Sequence, residues 1–259
     1  MRRLALWAVA ALIGGIAWGS TASACGEAVE ESGIHDADSA ALSDSLRKEQ
    51  LRLDSLRAAE ADSLTRYSSL TEADFQLVAD ELGVEVAAMK AVVSIEAGAA
   101  MKGFWAPGVP VINFDPSMYR QYASKAPSKA GDKSAKVPEG LSGYGLKEWR
   151  QLTNARHTNA QGADMGTFWG MFQIGGFNYR LCGCKSVPEF VERMSYSELE
   201  QLELFAHFIE NTGILKHLKN KDWAKFARAY NGPSYARRGY HTRMANAYKK
   251  FLAEQGGAQ

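Results

Sequence analysis

Ser94-Ile95-Glu96-Ala97-Gly98 closes an apolar segment. Val86, Met89, Val92, Val93 and Ile95 make much of residues 85–96 apolar, the pattern of a helix buried on several sides. Gly98 predicts where that helix stops. A lone acid at such a helix end feels two effects of the same sign. Burial disfavours its carboxylate, and the negative pole of the helix disfavours it further. The stretch therefore predicts a Glu96 carboxyl that keeps its proton near neutral pH, the form required of a general acid.

Reading outward, Thr71-Glu72-Ala73-Asp74 is a capping-box pattern, and Phe75, Leu77, Val78 and Leu82 carry the helix that follows, up to Gly83. Residues 99–124 hold Phe104-Trp105, Pro107, Pro110 and the run Val109 to Phe114, which suit a short strand or hairpin. Residues 125–143, rich in Lys, Ser, Gly and Pro, read as an exposed loop. Helical patterns return near 146–156, 187–194, 197–211, 213–218, 221–230 and 240–254. The fold class is mainly α, with at most a small β element.

The chain has 259 residues and a formal net charge of +1. Its N-terminus reads as an export signal: Arg2 and Arg3, the apolar stretch Leu4 to Trp18, then the small-residue site Ala22-Ser23-Ala24. Cys25 follows at once, so the segment resembles a bacterial lipoprotein signal, in which that cysteine is acylated and begins the mature chain. Ala22 stands where such signals usually carry leucine, and ordinary signal-peptide cleavage fits the same residues. Residues 26–70 are polar and charged, with Asp-Ser-Leu recurring at Asp44, Asp54 and Asp62, a spacing too irregular for heptads. The division expected is a signal at 1–24, a stalk at 25–70, lipidated at Cys25, and one domain at 71–254. That places the protein in the cell envelope, membrane-anchored through Cys25.

Between Thr212 and Lys250 the chain carries ten Lys or Arg and a single acid, Asp222. This is either a solvated basic face or an approach surface for an anionic polymer. Nothing reads as a nucleic-acid module. Cys182 and Cys184 are one residue apart, so pairing them together would strain a disulfide. They suit small buried thiols, although an exported chain keeps a disulfide open. His35, His157, His207, His217 and His241 show no metal-ligand spacing. No metal or cofactor is implied.

Two further motifs follow Glu96: Gly170-Met171-Phe172-Gln173-Ile174 and Ala229-Tyr230-Asn231-Gly232-Pro233. Acid-Gly at a helix end, then Gly-x-x-Gln-Ile, then Ala-Tyr-Asn-Gly is an order that resembles the goose-type lysozyme and lytic transglycosylase superfamily. More closely, residues 71–252 resemble the N-acetylmuramidase domain of bacterial and phage endolysins. Thr71 to Phe75, Lys90-Ala91-Val92, Ile112-Asn113-Phe114-Asp115, Trp169 to Asn178 and Ala229 to Tyr235 also carry that likeness.

The resemblance implies a lysozyme-like, two-lobed helical domain whose partner is the glycan strand of peptidoglycan. It implies cleavage of the β-1,4 bond between N-acetylmuramic acid and N-acetylglucosamine, with Glu96 as catalytic acid. Asp115 is the candidate second carboxylate, standing where the family usually has the longer Glu; Asp115-Pro116 reads equally as a helix or turn start. Asp164 and Glu148 are weaker candidates. Gln173 is expected in the cleft, positioning sugar or backbone. Gly170 is expected to let backbone approach ligand. By the same likeness the Tyr230 hydroxyl would bond the acid, and Asn231 would meet an N-acetyl group. Phe104, Trp105, Trp149 and Trp169 suit either core packing or stacking on sugar. Two other readings stay open: a lytic transglycosylase, which needs one Glu only, and a non-catalytic peptidoglycan-binding envelope protein.

Overall fold

The structure, a computed structural model, describes residues 35–98, 102–125 and 134–256. The Leu4 to Trp18 segment, the cleavage site and Cys25 lie outside them. Among the described residues no helix is long and apolar enough to cross a membrane.

The chain divides into two units, Met1–Ser55 and Leu56–Gln259. The first contains the start of helix α1 (His35–Thr65). From Arg47 onward its side chains are exposed, and the links are local: Gln50 donates to Asp54, and Arg52 pairs with Glu49. Long polar side chains and the lack of Pro or Gly favour this helix over other backbone states.

In the second unit the expected capping box forms. Thr71 Oγ1 accepts from Asp74 N at 3.3 Å, and Asp74 Oδ2 accepts from Thr71 N at 2.8 Å. Helix α2 (Glu72–Leu82) then ends on Gly83 in the left-handed conformation, φ 63°. Helix α3 (Val86–Glu96) buries Val86, Met89, Val92 and Val93 along with its alanines, as its apolar composition requires. It packs against α2 and against the last helix, α10 (Tyr240–Gly256).

From Phe104 onward the chain contributes strands to two small antiparallel sheets. Strands β1 (Phe104–Ala106) and β2 (Val109–Pro110) make a hairpin. Strand β3 (Ile112–Phe114) pairs with β4 (Thr167–Trp169), which pairs with β5 (Ile174–Gly175). The motif around Gly170 is therefore a β-turn between strands, an element the sequence reading left unassigned. Helix α4 (Pro116–Ala123) follows β3 directly. Helix α5 (Gly143–Met165) begins earlier and runs longer than its periodicity suggests, with a break at Asn159, φ −151° and ψ 95°. The Asn159 side chain bridges that break, accepting from Gly162 N and donating to Ala123 O. Gly162 lets α4 and α5 touch: a Cβ there would lie 2.6 Å from Ala123 Cα.

The remaining helices are α6 (Val187–Met194), α7 (Glu198–Asn211), α8 (Leu215–Lys219) and α9 (Trp223–Asn231). Ser186, Ser197 and Asp222 cap α6, α7 and α9 through their side chains. The core gathers Trp169, Phe172, Phe190, Phe205 and Phe226, all essentially buried, and each contributes about 2–3 kcal/mol of burial. Phe172 stacks on Phe205 at 4.3 Å, so the β4–β5 turn is anchored to α7.

Candidate active site

Three elements meet at one groove of about 520 Å³. The last turn of α3 brings Glu96, the β4–β5 turn brings Phe172 and Gln173, and the end of α9 brings Tyr230 and Asn231. The three motifs, far apart in sequence, are thus neighbours in space.

Glu96 is partly buried, and its carboxyl is pushed up to about 7, chiefly by burial. The Asn231 hydrogen bond and the Arg243 charge work against that rise without cancelling it. Asn231 Nδ2 donates to both carboxyl oxygens, at 3.0 Å to Oε1 and 3.2 Å to Oε2. The partnership expected of Tyr230 falls to Asn231 instead. The Tyr230 hydroxyl donates to the Phe172 carbonyl at 2.8 Å, tying α9 to the β4–β5 turn. Burial and the nearby Glu96 raise its phenol well above the ordinary value, so it stays a neutral donor.

The β4–β5 turn has two residues at positive φ, Gly170 at 69° and Gln173 at 50°. The Gly170 carbonyl accepts from both the backbone N and the side-chain Nε2 of Gln173, at 3.2 and 2.8 Å. That clamp holds the non-glycine residue in its unusual conformation, and Gln173 lines the groove. Gly170 itself does not line the groove. A Cβ on it would lie 2.7 Å from Gln201 Oε1 and 2.9 Å from Met194 Sδ, so its small size serves internal packing.

The other acids singled out by sequence lie elsewhere. Asp115 caps α4, its Oδ1 accepting from Ser117 N at 2.7 Å and Met118 N at 3.0 Å. Glu148 is buried and accepts from Phe114 N. Asp164 pairs with Arg156 at 2.6 Å. None of them lines the groove; among the described residues Glu96 is its only carboxylate. Trp149 and Trp169 are buried core residues in edge contact, and Phe104 and Trp105 sit on the β1–β2 hairpin.

Several groove residues escaped the sequence reading of the site: Asn113, Phe168, Phe177, Asn178, Arg238 and Tyr240. Asn113 had a signal, since it is exposed between buried Ile112 and Phe114 on a short strand. Phe168 pairs across from it in register, and Phe177 packs edge-on against Phe168 at 6.2 Å. Cys182 and Cys184 are free and buried, and burial pushes both thiols up. Among the described residues no three His, Cys, Asp or Glu side chains gather as a metal ion would need.

The family model for Muramidase, described as N-acetylmuramidase, matches residues 85–252. Four chains of solved structures also match. One is the crystal structure of Burkholderia AP3 phage endolysin, 37% identical, with a TM-score of 0.61 over 72% of this chain and 72% of that one. No curated protein matches. The family span takes in Glu96, the β4–β5 turn and the end of α9, and the mainly helical fold is lysozyme-like. The protein is thus a glycoside hydrolase with a peptidoglycan substrate, and the chain belongs to the N-acetylmuramidase family.

Proposed function

We propose that Glu96 protonates the leaving glycosidic oxygen during cleavage of the β-1,4 bond between N-acetylmuramic acid and N-acetylglucosamine. The observation carrying this reading is the Glu96 carboxyl raised to about 7 at the wall of an open groove. Near pH 6 such a group holds its proton and is still acidic enough to give it up. As the proton moves to the leaving oxygen, the C1–O bond breaks and positive charge develops at C1. Asn231 Nδ2, already on both Glu96 oxygens, then stabilises the carboxylate left behind.

Water attacks C1 from the open side of the groove, and its proton passes to solvent. The carboxamides of Asn113 and Asn178 line the groove and can hold that water. Phe168 and Phe177 offer apolar faces for the sugar rings. The export signal read from Arg2 to Cys25 agrees with a substrate outside the cytoplasmic membrane.

A lone carboxylate in the groove also favours a second reading, lytic transglycosylation. There the C6 hydroxyl of the muramyl sugar attacks its own C1, and its proton returns to Glu96. Mass spectrometry of the products from purified peptidoglycan, with wild type and Glu96→Gln in parallel, decides between them. Reducing ends from wild type alone are the expected result. Anhydro ends from wild type alone would establish the second reading. Equal cleavage by both proteins would remove Glu96 from the chemistry.

A further inference from the structure

We propose that Arg238, supported by Arg243, forms a subsite for a carboxylate carried on the 3-O substituent of the muramyl sugar. The proposal rests on the reading of the groove as a muramyl-glycan site and adds what distinguishes the substrate there.

An N-acetylated glycan backbone is uncharged and offers only hydroxyls, amides and ring faces. The groove answers those with the carboxamides of Asn113, Gln173 and Asn178 and with its aromatic rings. A guanidinium has no counterpart in such a backbone. Yet Arg238, an exposed residue, lines the groove. Arg243 lies close enough for its charge to act on the Glu96 carboxyl, and its guanidinium sits over the ring of Tyr240, itself a groove residue, at 5.8 Å.

The segment is also held in place. Gly232 and Gly239, at φ 76° and 66°, bracket it; Arg238 N donates to Ser234 O, and Arg243 N to Gly239 O. When Glu96 holds its proton, this wall carries positive charge that no described residue lining the groove balances. A carboxylate suits the planar fork of Arg. The muramyl 3-O substituent lies on the sugar whose C1 is attacked, so it enters the same groove that Glu96 and Arg238 line. Two sources supply the carboxylate: the lactyl group of a peptide-free strand, or the free carboxylates of an attached stem peptide.

The test uses full-length protein carrying Glu96→Gln, so that bound glycan survives, with and without Arg238→Gln or Arg238→Lys. Calorimetry compares a chitin oligosaccharide, peptide-free muramyl strands, the same strands with the lactyl carboxyl reduced to the alcohol, and peptide-bearing strands. The expected result is binding of a carboxylate-bearing strand that weakens about tenfold or more in Arg238→Gln, is only partly restored in Arg238→Lys, and falls with added salt. Chitin oligosaccharide binding should not change. A preference for unreduced peptide-free strands assigns the lactyl carboxylate; a preference confined to peptide-bearing strands assigns the stem. Equal losses on charged and neutral glycans, no loss on any, or no binding of carboxylate-bearing strands would overturn the subsite. Cleavage assays on wild type score the muramidase reading separately, because binding is read without turnover.

Discussion

Asn231 Nδ2 donates to both carboxyl oxygens of Glu96, at 3.0 and 3.2 Å, while its own Oδ1 is buried without a partner among the described residues. The bond favours the carboxylate, so it restrains the loss of acidity that burial imposes on Glu96. Asn231→Ala removes that restraint and lifts the Glu96 carboxyl further. Activity that needs the protonated acid is lost as pH rises through its pKa, so the alkaline limb of the variant's pH–rate profile should move upward. The rate at the optimum should fall by about tenfold to a hundredfold, since the acid is no longer aimed. A pH profile of kcat on soluble peptidoglycan fragments checks both; an unmoved limb would deny the coupling.

Glu96 should cost the fold stability at alkaline pH. Its carboxyl is raised from the usual range to about 7 in the folded protein. Below the unfolded pKa both states hold the proton and no difference arises. Between there and 7 the folded state holds a proton that the unfolded state has released, so stability falls as pH rises, then levels off. Glu96→Gln escapes this. It should be more stable than wild type at pH 8 by about 2 kcal/mol, after allowing for screening at the groove mouth, and near-equal at pH 4. Urea midpoints at the two pH values measure it.

Gly170→Ala should destabilise the protein by about 2–4 kcal/mol, because a Cβ at φ 69° is strained and would overlap Gln201 Oε1 and Met194 Sδ. Gln173 is clamped to the Gly170 carbonyl, so glycan affinity should weaken as well. Thermal unfolding and a binding titration read the two effects apart.

Asp115→Ala deletes the cap of α4 and should cost about 1 kcal/mol of stability. Cleavage measured well below the melting temperature should stay within about threefold of wild type, as the side chain lies outside the groove. A loss of a hundredfold or more with the fold intact would restore Asp115 to the chemistry.

The helical frame was legible because its signals are local. Thr71 and Asp74 announce α2, and the apolar run to Ile95 announces α3. The site's three motifs were legible as a set, through likeness to a family. Their partnerships were not: Tyr230 and Asn231 adjoin in sequence, and only the way α9 packs decides which one faces Glu96 and which one faces Phe172. The β4–β5 turn was hidden because its strands are three and two residues long, too short to show alternation. Asp115 read as a candidate base because sequence gives the residue type but not its neighbours; Pro116 beside it was the better clue. Arg238 was one cation among ten in a basic stretch, and nothing local marks the one that turns toward the groove.

One buried side chain joins parts of the molecule that never adjoin in sequence. Gln201, fully enclosed at the start of α7, accepts from Met171 N with its oxygen and donates to the carbonyls of Gly103 and Met194 with its nitrogen. A Cβ at Gly103 or at Gly170 would strike that same amide, at 2.4 and 2.7 Å. Positions 103, 170 and 201 therefore form a single packing unit: a side chain at either glycine displaces the amide, and the amide cannot shrink without orphaning the three backbone groups it serves. A change at any one of these positions is therefore felt at the other two, and through Met171 N at the turn that carries Gln173.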